Sequence, residues 1–226
     1  MLPNHRSDEE QKLAKRFQLY SLFAQYYQGD WRQAGRIINV TRQYLRERGE
    51  ELADGTNGDW TPQQTGAGDA AVEFDYNRLF LGPARLLAPP VESAYRNAQG
   101  LVMQAETLAV RDFYRQAGLA VQGKNAVPDD HLGLELEFVC YLLARAGQNL
   151  TSSPATANRY VASYQDFYEK HLQQWVYRHC QDVKAKARTP ACRGAAAALT
   201  GFLQSEEREF AARREQSETA KLDNPS

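Results

Sequence analysis

Asp130 and His131 are adjacent at a loop-to-helix junction. There Val127-Pro-Asp-Asp130 gives way to a run of apolar residues at helical spacing. Backbone N–H groups are free at such a junction, and the local field favours an anion. A carboxylate placed there can cap the helix, or can take an arginine guanidinium in a forked, charge-assisted pair. General-base chemistry would also need a nucleophile and a third group to orient the base. The chain has no G-x-S-x-G, no H-E-x-x-H and no phosphate-binding Walker loop. The other histidines are His5, His171 and His179; the last two are eight residues apart, roughly 80° round a helix axis and two turns along it, too far to share a metal. Cys140, Cys180 and Cys192 are widely spaced with no C-x-x-C, which disfavours a disulfide framework or a zinc knuckle and suits a reducing compartment. The second chemically suggestive set is apolar. Tyr76, Leu79 and Phe80 cluster beside Gly82-Pro83, and Leu86, Pro90 and Val91 follow closely. Such residues either pack as core or line an exposed groove able to hold the apolar face of a partner helix.

The elements that must position these residues read as helices. Leu13, Phe17, Tyr20, Ala24 and Tyr27 share one face, and Ser7 with Glu10 forms a capping box ahead of them. Asp30 is placed to cap a second helix through Trp31, Ala34, Ile38, Thr41 and Leu45. Residues 53–71 hold four glycines, a proline and many short polar residues, the composition of a flexible surface loop. Helices are expected over 73–80, 104–116 (stopped by Gly118), 131–146, 158–188 and 192–210, with a frayed tail over 211–226. Pro128 sets an extended approach to the fifth of these eight or so elements, and Asp129 or Asp130 is placed to cap it. Sustained alternation is absent, so the expected fold class is all-α: a single helical-bundle-like domain over 1–226 with about eight to ten helices.

The charge balance excludes other classes. Twenty-seven Lys+Arg oppose 28 Asp+Glu in 226 residues, a net charge of -1, so no basic footprint for nucleic acid is present. The N-terminus shows no apolar signal region, and no window reaches the ~18–20 apolar residues that span a bilayer. A cytoplasmic protein without stable membrane insertion is expected. Arg213-Arg214 lies at the wrong end to be an export signal and reads as a solvated helix end.

Three segments carry a resemblance. Glu73-Phe-Asp-Tyr-Asn-Arg-Leu-Phe-Leu-Gly-Pro83, Pro89-Pro-Val-Glu-Ser-Ala-Tyr95 and Val127-Pro-Asp-Asp-His-Leu-Gly-Leu-Glu-Leu-Glu-Phe138 resemble the TorD/DmsD family of redox-enzyme maturation chaperones. His171-Leu-Gln-Gln-Trp175 and Ala198-Leu-Thr-Gly-Phe-Leu203 resemble its closing helices. The chain departs from the family pattern with Val127 in place of a glutamate, and with Tyr76 and Val91 where DmsD-like members carry tryptophans. The resemblance implies a TorD-like fold and a binding protein, not an enzyme. It implies that the chain holds the twin-arginine leader, and a folded part, of a precursor molybdoenzyme until cofactor insertion, before export by the Tat route. The leader-contacting positions it implies are Tyr76, Leu79, Phe80, Pro90, Val91, Asp130 and His131, with a hinge over 123–131 and a monomer or a domain-swapped dimer. No cofactor of the protein's own and no metal are implied. The client enzyme and any guanine-nucleotide binding stay open. The rival readings are a helical metal-dependent hydrolase using Asp130 and His131, and an assembly chaperone for a non-molybdenum client.

Overall fold

A computed structural model describes residues 8–53, 68–82, 86–97, 101–121 and 127–222, with side chains to 215. Nine α-helices occur among them: α1 (Asp8–Tyr27), α2 (Ala34–Arg46), α3 (Asp69–Phe80), α4 (Glu92–Arg96), α5 (Ala105–Gln116), α6 (Leu132–Asn149), α7 (Pro154–Phe167), α8 (Gln173–Lys186) and α9 (Pro190–Leu222). A 3₁₀ turn, Trp31–Gln33, precedes α2. The fold is all-α as expected. The one β-like feature among the described residues is an isolated antiparallel bridge between Val91 and His131. No described helix is long and apolar enough to cross a membrane.

The apolar periodicity of α1 buries Leu13, Leu19, Tyr20, Phe23, Tyr26 and Tyr27. Helix α6 lies against it, closely enough at one point to require glycine. A Cβ on Gly133 would come within 2.9 Å of Gln28 Cγ and 3.4 Å of the Ala24 carbonyl oxygen. Helix α9 closes the other side of the core with Ala195, Ala198, Leu199, Phe202 and Leu203. The small residues let α2 approach, and Phe202 packs edge-on against Tyr20 and Tyr44.

Several boundaries differ from the sequence expectation. The capping box at Ser7 and most of the glycine-rich loop fall outside the described residues, but α3 already begins at Asp69. Asp30 makes no side-chain cap and instead receives Gln33 Nε2 at 2.8 Å. The span expected over 158–188 is α7 and α8 joined by a π-helical turn, Tyr168–Leu172. The final helix does not end at 210: it runs to Leu222, and Arg213 and Arg214 pair with Glu9, Glu209 and Glu169 along it. Those ion pairs hold the polar turns onto α1 and onto the π-helical turn, and the chain is helical beyond 211.

Candidate functional site

Of the two readings left open for the apolar residues near Gly82-Pro83, core and groove, the structure shows packing in the interior. Tyr76 and Leu79 are fully buried, and Phe80, Pro90 and Val91 are buried. Tyr76 donates its hydroxyl to the Tyr26 carbonyl at 2.8 Å and stacks edge-on against Tyr26 and Phe80. Phe80 lies between Tyr27 and His179, whose Nε2 is 3.0 Å from the Tyr27 hydroxyl. Burial pushes His179 down to about 3, so it is neutral in this cluster. Helix α3 therefore uses these residues to dock on the end of α1 and on α8. The expectation of an exposed trough at these positions is corrected: their apolar surface is spent on packing.

Asp130 is likewise committed. Its Oδ2 accepts the Ser93 N–H at 2.8 Å and its Oδ1 the Thr107 hydroxyl at 2.8 Å. Its carbonyl accepts the Glu92 N–H at 3.0 Å, and Leu132 N–H reaches the Pro90 carbonyl at 2.9 Å. Asp130 thus ties α4 and α5 to the start of α6. The α6 cap is neither aspartate but His131, whose Nδ1 accepts the Gly133 N–H at 3.1 Å. Accepting that bond suits a neutral ring, and burial holds His131 at about 4.

A buried acidic cluster surrounds this junction. Glu92 receives Arg96 on one oxygen and lies 2.8 Å from His171 Nδ1 with the other. Glu135 accepts Trp175 Nε1 at 3.2 Å, and its Oε1 has no partner. Burial, with Glu92 and Asp130 nearby, holds its carboxyl well above the usual range, favouring the protonated form. The π-helical turn carries His171 to Glu92, the kind of local irregularity that often marks a specialised position. Among the described residues no three His, Cys, Asp or Glu side chains converge to hold a metal.

The open concavities lie one layer outward, along α5. One, about 490 Å³, is lined by Tyr114, Leu119, Ala120, Val121, Leu134, Glu137, Phe138 and Tyr141. A second, about 200 Å³, shares Tyr114, Leu119, Ala120 and Val121 and adds Arg111, Arg115 and Asp129. A third, about 190 Å³, shares Arg111 and Asp129 and continues to Met103, Gln104, Thr107, Leu108, Val127 and Pro128. Through these shared residues the three adjoin beside α5, a helix roughly 18 Å long for its twelve residues, and together form a segmented trough. Its floor is Tyr114 against Phe138, ring centroids 4.9 Å apart. Its head is apolar and open, with Leu101, Val102, Met103, Leu108 and Val127 all exposed.

Sequence reasoning missed this trough because it read the apolar spacing of α6 as a single buried face. The signal was present: Leu134, Phe138 and Tyr141 also recur at helical spacing, with Glu137 among them.

The fold and the trough define an all-helical protein with an open apolar channel beside a rigid, hydrogen-bonded junction. The chain belongs to the family described as the nitrate reductase delta subunit, whose model matches residues 39–181. Among curated proteins it is 30% identical over 112 residues to the "Probable Tat proofreading chaperone DmsD" of Haemophilus influenzae, covering 50% of this chain and 48% of that one. It is 30% identical over 123 residues to the perchlorate reductase assembly chaperone protein of Dechloromonas aromatica, covering 51% and 52%. It is also 30% identical over 110 residues to the chaperone protein TorD of Vibrio cholerae, covering 48% and 49%. The chain thus spans about half the length of these curated relatives. The TorD/DmsD resemblance drawn from the three sequence segments is borne out.

Proposed function

We propose that the chain is a cytoplasmic, non-catalytic chaperone that binds the twin-arginine leader of a precursor molybdoenzyme in the α5–α6 trough. It holds the precursor until cofactor insertion, before Tat export. The observation that carries this reading is the row of adjoining concavities beside the Asp130 junction, apolar where Tyr114, Leu134, Phe138 and Tyr141 line them. The names of the relatives, a Tat proofreading chaperone and a reductase assembly chaperone, support the same class.

The magnitudes are consistent with a reversible grip. Burying two or three Leu- or Phe-sized side chains of the guest contributes roughly 3–9 kcal/mol. Ordering the segment costs about 2–5 kcal/mol, and association costs several more. Affinity in the micromolar range, near -8 kcal/mol at its tighter end, is the expected order. The buried residues Tyr76, Leu79, Phe80, Pro90 and Val91 serve this function from behind, by fixing α3 and the 86–97 segment. A catalytic role for Asp130 has less support, because both of its side-chain oxygens are already occupied.

Isothermal titration with a synthetic twin-arginine leader, and with the same peptide carrying serines in its apolar stretch, tests the reading. The first peptide should bind in the micromolar range and the second at least tenfold more weakly. Leu134→Glu, a half-buried trough position, should weaken the first peptide while circular dichroism stays helical. Equal heats for both peptides, or an unaffected Leu134→Glu variant, would remove the trough from the function.

A further inference from the structure

We propose that Asp129, rather than Asp130, is the carboxylate that receives an arginine of the bound leader, and that Arg111 occupies its place until the guest arrives. This rests on the leader-binding reading above. Asp130 is fully buried, and its two oxygens are held by Ser93 and Thr107. A guest could reach it only by dismantling the junction of α4, α5 and α6. Asp129 stands one residue earlier, on the wall common to the second and third concavities. Its side chain is 11% exposed and is held by Arg111 through Nε, while the Arg111 side chain is 37% exposed.

The pair therefore bridges the trough at mid-length, between the Tyr114–Phe138 floor and the apolar head around Met103 and Leu108. The peptide unit of Asp129 does not depend on that pair, because its carbonyl accepts the Tyr114 hydroxyl at 2.9 Å. Arg111 can swing toward solvent while the backbone stays fixed. An incoming guanidinium would then take over the same carboxylate, and its apolar neighbours would enter the concavity beyond.

Neighbouring charges are less suited to the role. Arg115 pairs with Asp112 at 3.5 Å, and Glu137, on the far wall, receives Gln28 Nε2 at 2.9 Å. The exchange is isoelectric: one guanidinium replaces another on one carboxylate, so no charge is left buried and unpaired. A planar fork matches a carboxylate better than an ammonium does, so the site discriminates arginine from lysine.

The test uses two fluorescein-labelled synthetic peptides, one with two adjacent arginines ahead of ten apolar residues and one with lysines in their place, read by fluorescence anisotropy. The wild-type chain should bind the arginine peptide about tenfold more tightly. Asp129→Asn should weaken arginine-peptide binding about tenfold and erase the difference. Arg111→Met keeps an apolar stem but removes the competitor, so it should tighten arginine-peptide binding severalfold. Should Asp129→Asn fail to fold by circular dichroism, the sign of the Arg111→Met effect decides. Full discrimination by Asp129→Asn, or weaker binding by Arg111→Met, would overturn the assignment of Asp129 while leaving the leader reading intact. A wild-type chain that binds neither peptide would overturn both.

Discussion

Glu135 shows how a residue can be placed by its neighbours against its own solvation. Its carboxyl is buried near Glu92 and Asp130, and that setting favours the protonated form. A folded-state pKa raised above the unfolded value means that the proton's stabilisation is complete below about pH 4.5 and drains away as pH rises. His131 and His179 act with the opposite sign. Their folded values, about 4 and about 3, lie below the unfolded value, so their contribution is complete above about pH 6.5 and is lost on acidification. Between pH 6.5 and 8, of these three groups, only Glu135 drives a change. Glu135→Gln is neutral at all pH and of nearly the same shape. Its stability advantage over the wild type should therefore grow as pH rises across that window, read by urea unfolding at pH 6.5 and 8. Parallel curves would show that Glu135 is ionised in the folded state. None of this was legible in the sequence: Glu135 reads as a polar position on a helix, and only the fold brings Glu92 and Trp175 to it.

At the scale of elements, periodicity located almost every helix but not what joins them. Apolar spacing is local, so α1, α2, α5, α6 and α9 were readable from it. Caps were misread because Asp130 is drawn to an N–H of α4, 37 residues away, which leaves the α6 cap to the adjacent His131. Burial was left open for a related reason. Tyr76, Leu79 and Phe80 are apolar whether they face a groove or a core, and only the approach of α1 and α8 decides. The same long-range logic fixes the start of α9. Asp75 on α3 accepts the N–H groups of Arg188 and Thr189 at 2.8 and 2.7 Å and the Thr189 hydroxyl at 2.9 Å. Those bonds and Arg78 hold its carboxyl below the usual range despite burial, so its stabilisation is present above about pH 4 and is lost as pH falls. Asp75→Ala should cost about 3 kcal/mol, on the order of 10 °C in melting temperature, because two buried donors lose their acceptor. Asp75→Asn should fall between. A loss under ~1 kcal/mol for the alanine variant would mean that water replaces the carboxylate.

For the whole molecule, the polar centre lies where four helices meet. Arg16 of α1 donates from Nε to Glu206 of α9 at 2.9 Å, and Tyr44 of α2 donates to the same carboxylate at 3.0 Å. Tyr164 of α7 donates to its other oxygen and lies 2.9 Å from the Tyr20 hydroxyl. Arg16 and Glu206 are almost completely buried, and the acids around Arg16 raise its pKa far enough that it stays charged. A pair of this kind is weak evidence for net stability, since desolvating two charges offsets their attraction. Breaking it is another matter. Glu206→Ala leaves the guanidinium facing a cavity with only Glu209, 3.5 Å away, as an anion, and should cost about 3–5 kcal/mol. The double replacement Arg16→Met with Glu206→Leu removes both charges and should recover most of that loss, although the tyrosines then lack an acceptor. Hydrogen exchange gives the sharper reading. If the network joins the four helices, Glu206→Ala should lower protection in α1, α2, α7 and α9 together, while α5 and the trough keep theirs. Loss confined to α9 would mean that apolar packing alone unites the helices, and that the charges only fix their register.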